Sequence, residues 1–268
     1  MDRDEYERMS VAGETHWWYL ATRTLLAQLA ERHLDAMTPD FCSLDAAGGS
    51  GGTGSWLERF GPVVVSDLDV SALVSATERH SGIHPVVSNL NRLPHPADSF
   101  HVSLCVTALY HQWVADPQVV VDELSRVTRP GGLVVLMEPG VRRLRRGHDA
   151  VTLTARRFSR RDLGRLVERS GLELVHSTGA YTFLLPPAAV LAVIERGRSA
   201  SDTGRNQGGL GGLLPVLARA ERAVLRHASL PFGLSVIAIG RKPSPPPGDS
   251  TVHPCGVTRA LSPVAIRP

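Results

Sequence analysis

Residues 44–57, LDAAGGSGGTGSWL, set an aspartate, Asp45, at the end of a short apolar run and follow it with five glycines. Glycines let a loop turn tightly and bring backbone N–H groups against a ligand at the N-terminus of the next helix. The stretch divides in two ways. Gly49, Gly51 and Gly54 spell G-x-G-x-x-G, the pattern that receives a dinucleotide. Shifted back, Asp45, Ala47, Gly49 and Gly51 spell D-x-A-x-G-x-G. The carboxylate separates the two. A pyrophosphate is repelled by a neighbouring carboxylate, whereas a ligand carrying positive charge is stabilised by it. Asp45 therefore favours a cationic ligand. The dinucleotide reading would make the chain a nicotinamide-dependent oxidoreductase. It rests on the glycines and finds no Tyr-x-x-x-Lys pair, since Lys242 is the only lysine.

Three further stretches follow in order: VVVSDLDVSAL, RLPHPADSFHVSLC and DELSRVTRPGGLVVLMEP. Together with SLDAAGGSGGTG they make residues 41–140 resemble the core of a class I S-adenosylmethionine-dependent methyltransferase. The flanks THWWYLATR and LPFGLSVIAIGRK resemble one subgroup of such enzymes. The resemblance implies S-adenosylmethionine as cofactor, whose sulfonium and ammonium suit Asp45. It further implies that Asp67 accepts from the ribose hydroxyls and that Asn89 accepts from the adenine amine. Leu68 and Leu90 would sandwich the adenine, and Gly49 and Gly51 would line the methionine portion. The chain departs from the family at Ala47, where a glycine is usual, at His101 for an aspartate, and at Thr128-Arg129 for Leu-Lys. Ala47 bears on cofactor affinity and makes a non-catalytic S-adenosylmethionine-binding protein the alternative.

Methyl transfer from a sulfonium is an in-line displacement, so the protein supplies alignment, desolvation and, for some acceptors, a base. In an open α/β sheet, ligands bind beyond the C-terminal ends of the strands. Tyr110 and His111 follow the fourth strand, Glu138 ends the fifth, and His111 titrates nearest neutrality. A helix ahead of the core would cover the cofactor, with Tyr19 of HWWY lining the cleft and Arg23 reaching the methionine carboxylate. Residues 142–161 hold eight arginines, either a solvated face or a grip on an acidic acceptor. Residues 181–227 form an insert expected to act as a lid over the acceptor, with a glycine-rich hinge at 204–212. Its second helix, bearing Arg219, Arg222 and Arg226, would alternatively meet an anionic membrane. The acceptor is then a small molecule or lipid-linked.

These residues need a scaffold. Strands are expected at 41–46, 62–67, 84–88, 101–107, 132–138, 171–177 and 233–241, most of them apolar throughout, as when both faces are covered. Helices are expected at 52–60, 70–81, 117–128, 159–170 and 213–227. Asp116 before Pro117, and Ser159 three residues before Asp162, are N-terminal signals. Alternating elements of this kind predict a doubly wound, seven-stranded, mostly parallel sheet. An N-terminal helical cap (1–37) precedes the methyltransferase domain (38–242), and a proline-rich tail (243–268) is expected to be disordered.

Composition narrows the classes. The net charge of +3 and pI near 9.0 are too mild to argue for a nucleic-acid partner. Cys42, Cys105 and Cys255 show no paired spacing, so neither a disulfide framework nor a metal site is expected. The charged start and the lack of a long apolar run predict a cytoplasmic protein.

Overall fold

The computed structural model describes residues 13, 15–34, 38–142, 144, 149, 152–194 and 212–244. Seven strands form one sheet in the order β3-β2-β1-β4-β5-β7-β6. They are β1 (Ser43–Ala46), β2 (Val63–Asp67), β3 (Ile83–Val87), β4 (Phe100–Val106), β5 (Thr128–Pro139), β6 (Glu173–Ala180) and β7 (Ser235–Arg241). Pairing is parallel from β3 through β5, and β7 runs antiparallel between β5 and β6. The expected topology is thus present. Its order reverses between β1 and β4, which opens a crevice beyond the ends of those two strands.

The helices are α1 (Trp17–Glu31), α2 (Val70–Arg79), α3 (Pro117–Val127), α4 (Arg160–Arg169), α5 (Leu185–Ile194) and α6 (Leu213–Val224). Asp116 caps α3 by accepting from Gln118 N–H, and Ser159 with Asp162 closes a full capping box on α4. Successive strand residues face opposite layers. Val63 and Val65 join α1 through Leu25, Leu26 and Leu29, while Val64 joins α3 and α4 through Leu124 and Leu163. Both faces of the sheet are covered, which is why these strands carry apolar residues throughout.

One local expectation shifts. The helix expected at 52–60 is a single 3-10 turn, Ser55–Arg59. Gly51 takes φ +79° and Gly52 and Gly54 follow within three residues, so regular helix cannot start until the glycines end. Trp17 is a buried tryptophan of α1, packed edge-on against Tyr181. Thr22 of α1 meets the Tyr181 hydroxyl at 2.7 Å, so α1 is welded to the end of β6 and shares the sheet's core.

The insert also differs from expectation. Glu221 of α6 accepts from the backbone N–H groups of Tyr181 and Thr182 and from the Thr182 hydroxyl. Gln28 of α1 donates to the Arg222 carbonyl of α6, and Arg32, just past α1, to the Leu225 carbonyl just past α6. These bonds hold α6 against α1, and no described residue of 181–227 lines the cleft. The lid expectation is therefore corrected for the described part of the insert. The hinge at 204–212, apart from Gly212, and the tail beyond Ser244 lie outside the described residues.

Lys242 closes the domain. Its ammonium donates to Asp98 (2.7 Å) and to the Ser125 and Thr128 carbonyls at the end of α3, where a cation opposes the helix dipole.

Candidate functional site

A cleft of about 820 Å3 lies over the C-terminal ends of β1, β2 and β4. It brings together Tyr19, Asp45, Ala47, Gly49, Asp67, Leu68, Asn89, Leu90, Tyr110 and His111, ten of the residues singled out in the sequence. Gly51, Arg23 and the fully buried Glu138 are not brought to it. Gly51 is turned away, and a Cβ there would come within 2.5 Å of Ile83 Cδ1. Its glycine serves the turn and the packing against β3. Arg23 stands one layer back, where its Nη2 donates to the Gly13 carbonyl at 3.3 Å. Gly13 itself lines the cleft, so Arg23 supports the wall rather than forming it.

Asp45 is only 1% exposed and its Oδ2 has no hydrogen-bond partner among the described residues. Burial, and then the negative charge of Asp67, push its carboxyl up to about 7, against a smaller opposing effect of the Gly54 backbone N–H. The glycines make room for it. A Cβ on Gly48 would lie 2.6 Å from the Asp45 carboxyl carbon, and one on Gly54 would lie 2.4 Å from Oδ2. Sequence reasoning assigned the loop's glycines to the ligand, but Gly48 and Gly54 are there first for Asp45. Only the folded loop reveals that.

Asp67 ties two loops. Its Oδ2 accepts from Gly49 N–H at 2.9 Å and its Oδ1 from Asp69 N–H at 3.0 Å. The Leu68 N–H also bears on this carboxylate, and since a carboxylate has about four acceptor positions, room remains for a ligand donor. Asp69 caps α2 through Ser71 and Ala72 N–H. Asn89 folds into an Asx turn, its Oδ1 accepting from the backbone N–H (2.9 Å) and from the side-chain amide (3.0 Å) of Asn91, so both of its lone pairs are engaged in this structure. Leu68 is 56% exposed at the cleft, a large apolar side chain without a protein neighbour to cover it.

The chain leaves several strands through left-handed residues that are not glycine. Ala47 (φ 58°) follows β1, Thr107 (φ 51°) follows β4 and Tyr181 (φ 58°) follows β6. For an L-residue this costs about 1–2 kcal/mol. Ala47→Gly should therefore stabilise the ligand-free protein by about 1 kcal/mol, less the extra freedom glycine gives the unfolded chain. A urea titration in which the variant is less stable than the parent would contradict this.

The loop after β4 is built on Glu138. That fully buried carboxylate accepts from three consecutive backbone N–H groups, Ala108 (3.0 Å), Leu109 (2.8 Å) and Tyr110 (3.1 Å). Burial nevertheless outweighs those donors and pushes Glu138 up to about 8. The Tyr110 phenol is also buried and is pushed up, by burial first and then by Glu138, so it stays protonated. His111 follows, its pKa lowered mainly by burial. Its Nδ1 accepts from Trp113 N–H at 3.3 Å, and the ring packs edge-on against Trp113. Trp113, 64% exposed, lines the same wall, and sequence reasoning passed over it. Its only signal was an aromatic two residues beyond His111.

The charges on the cleft wall have one sign. Among the described residues that line it, the carboxylates are Asp45, Asp67 and Asp69, and there is no lysine or arginine. Four of the five described arginines of 142–161 are used in the scaffold, and the fifth, Arg161, is exposed on α4. Arg156 donates to the Leu109 and Val114 carbonyls, Arg157 pairs with Asp149, Arg142 pairs with Asp162, and Arg160 donates to Ser177 and Leu230. Arg143, Arg145 and Arg146 lie outside the described residues. Among the described residues, no helix is long and apolar enough to cross a membrane, and no cluster of ligating side chains suits a metal ion.

Comparison with known proteins agrees with this geometry. Residues 44–136 match the family described as a methyltransferase domain. A malonyl-[acyl-carrier protein] O-methyltransferase of Salmonella typhimurium is 35% identical over 92 residues, 34% of this chain and 36% of the relative. A demethylmenaquinone methyltransferase of Clavibacter sepedonicus is 29% identical over 153 residues, 54% of this chain and 58% of the relative. The chain thus spans between about a third and three-fifths of the length of these relatives. Among solved structures, a geranyl diphosphate C-methyltransferase from Streptomyces coelicolor A3(2), bound to Mg2+, geranyl diphosphate and S-adenosyl-L-homocysteine, superposes with a TM-score of 0.54. It is 18% identical and covers 82% of this chain and 77% of its own, a likeness of fold.

Proposed function

We propose that this chain, whose residues 44–136 match a methyltransferase domain, is a class I S-adenosylmethionine-dependent methyltransferase that transfers a methyl group from S-adenosylmethionine to a small-molecule or lipid-linked acceptor. The observation that carries the reading is the buried, unpartnered Oδ2 of Asp45 in a cleft whose described walls hold carboxylates and no lysine or arginine. A pyrophosphate placed there would meet Asp45 and Asp67 with nothing to neutralise it, which argues against a dinucleotide. A cationic ligand removes the cost of burying Asp45 as an anion.

S-adenosylmethionine, when bound, supplies an electrophilic methyl group on a sulfonium. Asp45 would hold its positively charged methionine end, Asp67 its ribose hydroxyls, and Leu68 with Leu90 its adenine, while Asn89 would accept from the adenine amine in place of the Asn91 side-chain amide. Ala47 and Gly49 bring the loop backbone against the same ligand. The acceptor would lie against Tyr19, Tyr110, His111 and Trp113. His111 has a narrower role than its residue type suggests. With Nδ1 accepting from Trp113, the neutral ring carries its proton on Nε2 and so donates to an acceptor oxygen rather than removing a proton. Tyr110, held protonated by burial, shapes the wall. Alignment and exclusion of water are then the main contributions of the protein. The two curated relatives, one named for malonyl-[acyl-carrier protein] and one for demethylmenaquinone, support a carrier- or lipid-linked acceptor as the class to screen first.

The test is a thermal-shift and calorimetric titration of the purified protein. S-adenosylmethionine and its demethylated product should bind at micromolar order, and NADH should not. Affinity should also depend on pH. Asp45 is raised to about 7 without ligand, and a cation favours its ionised form, so binding releases a proton below pH 7. Affinity should therefore rise with pH between about 5 and 7, by up to tenfold per unit. Asp45→Asn should bind more weakly and lose that slope. Stabilisation by NADH alone would overturn the reading. Cofactor binding without methylated product across a labelled-methyl screen would instead favour a non-catalytic binding protein.

A further inference from the structure

Helix α6 buries one side and presents the other to solvent, and the exposed side is apolar. Ala218 (8% exposed) and Leu225 (1%) pack inward, with Leu214 against the same core. Leu213, Val216, Ala220, Ala223 and Val224 face out, at a spacing that draws one stripe along the helix. Leu213, Val216 and Val224 are each about half exposed, at 50%, 52% and 51%. Arg219 and Arg226 are exposed along one flank of this stripe, and the acidic residue of the helix, Glu221, is turned inward to Tyr181 and Thr182. An ordinary surface helix would put its charges where these apolar residues stand.

The neighbouring helix repeats the anomaly. In α5, LPPAAVLAVI, no side chain is polar, and Val190, Val193 and Ile194 are 58%, 62% and 63% exposed. α5 and α6 are tied to the same point, since Glu221 bonds the residues that lead into α5.

The geometry points to an anionic lipid surface as what covers the outer face of α6, making the chain a peripheral membrane protein by this helix. Three features favour lipid over a second copy of the chain. The stripe is convex and carries no hydrogen-bonding edge, so it suits a fluid apolar phase. Its flank is basic, complementary to anionic headgroups and repulsive to an identical face. Its size is also too small for a stable dimer. A 12-residue helix offers a strip about 18 Å by 10 Å, roughly 200 Å2, against about 800 Å2 per partner for a standard interface. Interfacial helices are stabilised by an apolar face together with flanking Lys or Arg. The cofactor cleft plays no part, so this inference stands or falls separately from the methyltransferase reading.

The experiment is cosedimentation of the full chain, without cofactor, with vesicles of equal parts phosphatidylcholine and phosphatidylglycerol, and with phosphatidylcholine alone. The intact protein should bind the mixed vesicles and not the neutral ones, and added salt should weaken binding. Val216→Glu/Val224→Glu, at two exposed positions, should lower binding at least tenfold with an unchanged thermal midpoint. Arg219→Gln/Arg226→Gln should lower it by roughly fivefold per arginine, the scale for one basic residue at an anionic surface. The arginine variant and the salt series decide the matter even if the glutamate variant is poorly folded. Equal binding to both vesicle types, no binding to either, or binding unchanged in the arginine variant would each overturn the proposal. So would lipid-free self-association that the glutamate variant abolishes, which would assign the face to a second copy.

Discussion

Glu138→Ala is expected to lower stability by about 3–5 kcal/mol, and the thermal midpoint by roughly 10 °C. Three consecutive N–H groups, those of Ala108, Leu109 and Tyr110, share this one buried carboxylate. Each buried donor left without an acceptor costs about 1–3 kcal/mol, and water entering the vacated space offsets part of the sum. The same segment carries Tyr110, His111 and Trp113, so any methyl transfer should fall with it. Glu138→Gln keeps the volume and one acceptor oxygen and should cost less. It should also remove a pH dependence. Burial raises Glu138 in the folded state from its ordinary value of 4.5 to about 8, so the fold holds a proton there that the unfolded chain releases. Its contribution is fully present below about pH 4.5 and is lost as pH rises through 8. Denaturant titrations of parent and Gln variant at pH 5 and pH 8 should therefore converge or cross with rising pH. Parallel stabilities at both values would show that Glu138 stays ionised in the fold.

Asp67→Ala is expected to weaken S-adenosylmethionine binding by about 3 kcal/mol, roughly a hundredfold, the upper end for a charged hydrogen-bond partner. Two losses combine. The ribose hydroxyls lose their acceptor, and Gly49 and Asp69 lose the carboxylate that ties the glycine loop to the loop after β2. The fold should survive, because the side chain lies at a strand end. Asp67→Asn retains one oxygen and should fall between the two. If turnover is measured, KM for the cofactor should rise far more than kcat falls. Unchanged affinity in the alanine variant would reduce Asp67 to a loop tie.

Much of the scaffold was legible without coordinates because its signals are local. Capping at Asp116 and Ser159 and apolar strands covered on both faces each depend on a few neighbouring residues. Asp45 was legible as the discriminating charge for the same reason, since its type and its place before the glycines bear on ligand charge wherever the loop ends up. The tertiary structure decided which distant groups meet. Gly48 and Gly54 were indistinguishable from Gly49 and Gly51 until the loop closed over Asp45 and turned Gly51 toward Ile83. Arg23 was placed by the backbone of Gly13, and the arginines around 156–160 by carbonyls of the chain itself, because such donors satisfy whatever acceptors packing brings near. Glu138 acquired its three N–H partners from a segment about thirty residues earlier, through the pairing of β4 with β5. α6 was drawn onto α1 and away from the cleft by Glu221 and Gln28. Hydrophobic spacing states that a helix has an apolar face, but only packing determines how many such faces the core can cover.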